Sequence, residues 1–192
     1  EAGAVVFVSG NTAPLTFDVH GTTGKGGTVN LVRNANSLLV LGTGAGDLKI
    51  DATGAKDGGD VTVINGGQLY VVLTPVAPTT PTGSDIGLLY KGTAGNGAKI
   101  TLQAGTMTPS ILTLNGGLDT SATSTSVGHN NGGDVSLISN SKTVMNYGDT
   151  TSKNTNGIQG SIKVAGSGGL NGSITLRNNG GGLTYNPTTA NA

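Results

Sequence analysis

Apolar and polar residues alternate along this chain with a period of two, in short runs punctuated by glycine. Six segments share one grammar: "GGTVNLV" from Gly26, "GGDVTVI" from Gly58, "GAKITLQ" from Gly97, "GGDVSLI" from Gly132, "GSIKVAG" from Gly160 and "GSITLRN" from Gly172. In each, glycine leads to a polar residue and then to apolar-polar-apolar. The pairs Val29/Leu31, Val61/Val63, Ile100/Leu102, Val135/Leu137, Ile162/Val164 and Ile174/Leu176 therefore share one face, the signature of strands with one buried side. Asn30, Thr62, Thr101, Ser136, Lys163 and Thr175 point the other way. Further strands are expected in "SLLVLG", "GDLKID", "SILTLN" and "LTYN", from Ser37, Gly46, Ser110 and Leu183. No window keeps apolar residues at helical spacing for three turns without glycine, which costs about 1 kcal/mol relative to alanine inside a helix.

Asn-Gly occurs seven times, at Asn65, Asn96, Asn115, Asn131, Asn156, Asn171 and Asn179. Both residues tolerate positive φ, so these read as tight corners. Two all-β architectures use such corners: a parallel β-helix, and an antiparallel β-sandwich of pilin type with Asn-Gly hairpins. The parallel β-helix is preferred. The aligned residues Val29, Val61, Ile100, Val135, Ile162 and Ile174 are unevenly spaced, as coils of variable length would be. At roughly 20–25 residues per coil, about eight or nine coils would form a rod about 40 Å long. Residues 1–192 read as a single β-rich domain with protruding loops near 74–85, 118–133 and 147–160.

Composition supports a thin core. The 192 residues include 35 glycines and only six aromatics, so small branched side chains must fill the interior. Charged residues are 10%, against about 25% in ordinary soluble domains. Ten basic residues balance ten acidic ones, and the lysines are scattered, which excludes the clustered cations that nucleic acid or an anionic membrane requires. Nine of the ten acids are Asp, a turn former rather than a helix former. No apolar run approaches the length of a membrane span. Absence of cysteine excludes disulfides, thiol catalysis and Cys-based zinc sites. The composition favours reading Glu1 as the start of a processed or excised form.

The segments "GGDVTVINGGQLYVV", "GGDVSLISN" and "GGTVNLV" resemble the repeats of filamentous haemagglutinin-type exoproteins and autotransporter passenger domains of the bacterial surface. The resemblance covers most of residues 21–186. It implies a right-handed parallel β-helix and an extracellular or cell-surface location.

Candidate chemistry is sparse. His20 and His129 have no third metal ligand nearby in sequence, and no nucleophile elbow appears. Asp51, Asp57 and Asp60 in "KIDATGAKDGGD" are the nearest approach to paired carboxylates and a weak candidate for calcium. No other cofactor is indicated. Asp60 and Asp134 hold equivalent places in the repeat, which suits a structural role: accepting backbone N–H groups at a corner. The chain therefore reads as a non-enzyme whose activity is self-association into an extracellular fibre or filament, its partners being copies of itself. Unpaired strand edges template another chain, and the candidate edges are Ala4, Val5, Val6, Phe7 and Val8 at one end and Leu183, Thr184 and Tyr185 at the other. The alternatives are an adhesin passenger fragment that binds a host surface or glycan, with Tyr90 and Tyr147 as its loop aromatics, and, third, a polysaccharide-cleaving β-helix enzyme.

Overall fold

The structure, a computed structural model, describes residues 13–73, 87–123, 129–147 and 156–185. Sixteen short strands and no helix occur among them: β1 (Leu15–Asp18), β2 (Thr28–Arg33), β3 (Leu39–Leu41), β4 (Leu48–Asp51), β5 (Asp60–Asn65), β6 (Leu69–Val72), β7 (Leu88–Leu89), β8 (Lys99–Ala104), β9 (Leu112–Asn115), β10 (Leu118–Asp119), β11 (Val135–Ser139), β12 (Met145–Tyr147), β13 (Gly157–Ile158), β14 (Ile162–Lys163), β15 (Ile174–Asn178) and β16 (Leu183–Tyr185). All thirteen ladders between them are parallel. The antiparallel sandwich is thus unsupported, because its hairpins would make antiparallel ladders.

Five of the six glycine-led repeats form one sheet, in the order β2-β5-β8-β11-β15. Its register sets Val29 beside Val61, Val61 beside Ile100, Ile100 beside Val135 and Val135 beside Ile174. Leu31, Val63, Leu102, Leu137 and Leu176 make a second column. Like side chains stack on like, about 4.8 Å apart, which is why the small aliphatics Val, Ile and Leu suffice for a core. Val61, Val63, Ile100, Leu102, Val135 and Leu137 are buried, whereas Thr62, Thr101 and Ser136 alternate outward.

Two expectations change here. Ile162 does not join this column; it pairs with Leu118 in the small β10-β14 sheet. With Ile162 removed, successive rungs lie 32, 39, 35 and 39 residues apart, longer than the 20–25 per coil that the sequence suggested. Five rungs span four intervals, about 19 Å rather than 40 Å. The extra length goes into excursions between strands, which short-motif spacing does not register.

The other strands recur in a fixed cycle. β1 pairs with β4 and β4 with β7, while β3, β6 and β9 stack in turn. A single pairing, Leu41 with Leu48, links these two stacks into one nine-stranded sheet. The two-residue β13 is inserted between β9 and β12, so that the order runs β9-β13-β12-β16. Asn156, just before it, is buried and fastens the insertion: its Oδ1 accepts from Leu112 N–H (3.2 Å) and Ser139 Oγ (2.8 Å), and its Nδ2 donates to Thr143 O (3.1 Å).

Glycine at the corners has a different cause from the one the dipeptides suggest. Of the seven Asn-Gly glycines only Gly116 and Gly157 take positive φ, 122° and 139°. Gly97, Gly132 and Gly172 are required by close approach instead. A Cβ on them would fall inside the carbonyl oxygens of Thr120, Val164 and Gly133 respectively. Here the chain re-enters the stack after each excursion, and Gly27, Gly133 and Gly172 donate to Val19, Thr120 and Val164 carbonyls at 2.7, 2.8 and 2.7 Å.

Candidate assembly edge

The two ends of the stack differ. At the first rung, Val29 and Leu31 are only 8% and 6% exposed although β2 ends its sheet. At the last, their column partner Ile174 is 45% exposed, and Leu183 and Tyr185 of β16 are 46% and 59% exposed. These side chains lie on the core face. Leu183 continues the column above the buried Met145, and Tyr185 that above Tyr147, whose ring centroid is 5.0 Å away at 31°. Thr184 lies between them, beside Asn146, and is also exposed. The last described rung is therefore a core layer with no described layer above it. Its edge strand presents backbone groups on one side that no ladder among the described residues uses. Of the two expected edges, this places Leu183, Thr184 and Tyr185; Ala4, Val5, Val6, Phe7 and Val8 lie outside the described residues.

The polar residues that might have carried chemistry are engaged in holding coils together. Asp57 Oδ1 accepts from Asn96 N–H (2.7 Å), Asn96 Oδ1 from Asn131 N–H (2.8 Å) and Asn131 Oδ1 from Leu170 N–H (2.9 Å). Each side-chain oxygen thus caps the corner of the next coil. A second device recurs within coils: Asp18, Asp51 and Asp119 accept the N–H two residues on, from His20, Thr53 and Ser121. Sequence reading missed both ladders, although "DVH", "DAT" and "DTS" after short apolar strands were a visible sign of the second.

Asp51, Asp57 and Asp60 are placed separately. Asp51 also takes the Thr53 hydroxyl (2.7 Å), Asp57 belongs to the corner ladder, and Asp60 pairs with Lys25 (2.6 Å). Among the described residues no three acidic or histidine side chains form a group able to hold a metal ion. Asp60 and its counterpart Asp134 diverge in detail: Asp134 accepts Ser173 N–H (3.0 Å) and Oγ (2.8 Å), the corner role expected for both. These bonds hold the Asp134 carboxyl below its ordinary value. The exposed His20 imidazole is raised by the Asp18 carboxylate that it contacts.

One cleft of about 170 Å³ lies where the β4-β7 ladder stops short of β10. Leu73, Leu88, Leu89 and Tyr90 make it largely apolar. Tyr90 is buried, with its phenol pushed up to about 12 by that burial and its oxygen accepting Asp119 N–H at 2.9 Å. Lys91 bridges the same gap to the Asp119 carboxylate (2.8 Å). Tyr90 and Tyr147, expected as loop aromatics, both face inward instead. No family model, curated protein or solved structure matches this chain.

Proposed function

We propose that this protein is a structural subunit of an extracellular bacterial fibre or surface filament, whose stacks close into a parallel β-helix and whose activity is self-association rather than catalysis. The observation that carries this reading is the open last rung, where Ile174, Leu183 and Tyr185 stand half-exposed above otherwise buried columns. Soluble proteins usually cover or charge such edges; no charged side chain interrupts Leu183–Tyr185. Zero formal net charge also removes the long-range repulsion that keeps copies apart.

Negative-stain electron microscopy and light scattering of the purified chain over a concentration series test the proposal. Concentration-dependent filaments are expected. Single particles at every concentration would overturn it and leave a monomeric binding module.

A further inference from the structure

We propose that β16 is an acceptor strand for residues Ala4–Val8 of a second copy, so that copies add in one direction only. This inference rests on the self-association reading and names its joint. The column Leu114, Ile158, Tyr147, Tyr185 ends in an exposed ring, and the neighbouring column of Met145 ends in exposed Leu183. A strand laid on β16 in the same parallel register must supply an aliphatic residue over Leu183 and, two positions on, a ring over Tyr185.

The chain contains five such aliphatic-x-aromatic segments: Val5–Phe7, Leu15–Phe17, Leu88–Tyr90, Met145–Tyr147 and Leu183–Tyr185. The last four are already seated, each in or directly following a paired strand. Val5–Phe7, the fifth, lies outside the described residues. Set on β16 it places Val5 over Leu183, Val6 over Thr184 and Phe7 over Tyr185. The ring pair would repeat the Tyr147–Tyr185 contact, and offset rings at that separation attract beyond their buried area. Neither partner segment carries a charge, so the edges meet without an ion left unpaired. Direction follows from the buried first rung and the open last one: a copy has one acceptor and one donor at opposite ends of its chain, a heterologous contact that propagates instead of closing.

Complementation between two variants is the test. One lacks residues 1–10 and keeps the acceptor; the other carries Leu183→Lys and Tyr185→Lys and keeps the donor. Far-UV circular dichroism first establishes that each is as β-rich as the unaltered chain. Each alone should elute as a monomer in size-exclusion chromatography with light scattering, and an equimolar mixture should give a dimer and nothing larger. A synthetic peptide of residues 1–12 should bind the truncated chain, and its Phe7→Ala form should bind on the order of tenfold more weakly. If the unaltered chain assembles and either variant alone assembles as well, this joint is refuted while self-association stands. If the mixture stays monomeric, or the truncated chain unfolds, the donor role is refuted. If the unaltered chain never assembles, both readings fall.

Discussion

Glycine in this protein is a statement about distance more than about φ. At Gly97 an added Cβ would lie 1.8 Å from the Thr120 carbonyl oxygen, far inside contact distance, while around Gly24 an added Cβ meets nothing within 4 Å. Gly97→Ala should therefore cost about 3 kcal/mol, and Gly24→Ala should stay within about 0.5 kcal/mol. Thermal melts of the two variants check this, and equal shifts would refute the close-approach account. The carboxylates act at the same scale. Asp134 is lowered by its bonds to Ser173, so its contribution is present above about pH 4 and disappears as pH falls through its depressed value. His20 is raised, so its contribution is present in mild acid and lost as pH rises through its elevated value. Ser173→Ala should make the acid-side loss of stability shallower in a pH series of denaturation curves; an unchanged acid slope would count against the Asp134–Ser173 bond.

Within an element, alternation decides what a substitution does. Val135 sits between Ile100 and Ile174 in the core column, and Ser136 between Thr101 and Thr175 on the outer face. Val135→Asp places an unpaired charge in the core and should cost at least about 3 kcal/mol. Ser136→Asp should stay within about 0.5 kcal/mol. Chemical denaturation compares them directly, and similar losses would mean the register is wrong. Between elements, the Asx oxygens matter in the same way that backbone ladders do. Asn131→Ala leaves Leu170 N–H without its acceptor, an effect of about 1 kcal/mol. Faster hydrogen exchange at the Leu170 amide, with little change at Ile100, is the expected local signature.

At the scale of the whole molecule, parallel stacking makes the two ends of the stack different from each other. Among the described residues, the β2-β5-β8-β11-β15 and β3-β6-β9-β13-β12-β16 stacks cover each layer with the next until β15 and β16, whereas the β1-β4-β7 stack ends earlier, at β7. The insertion of β13 gives one stack an additional rung relative to the β2-β5-β8-β11-β15 sheet. The ladder break between β7 and β10 leaves the apolar cleft on another. No described element is helical, so the far-UV spectrum should show a single β-type minimum; a pronounced helical double minimum would contradict the architecture.

What the sequence by itself determined is local and periodic. Alternation placed Val61, Val63, Val135 and Leu137 in the core, and the shared glycine-led grammar put five of its six copies in one sheet. Such features are legible because each strand repeats the same two-residue rule and the glycines mark each return to the stack. Only the tertiary structure decided which copies stack on which. Ile162 obeys the grammar and still pairs with Leu118, because the chain after β13 meets β10 before it reaches β11. Coil length, the pairing of β13 with β9 and the corner ladder through Asp57, Asn96 and Asn131 join residues more than thirty positions apart, and no short window contains both partners. The exposed rung is of the same kind. Leu183 and Tyr185 read like any other strand in sequence, and they differ from Met145 and Tyr147 in that no described layer lies above them.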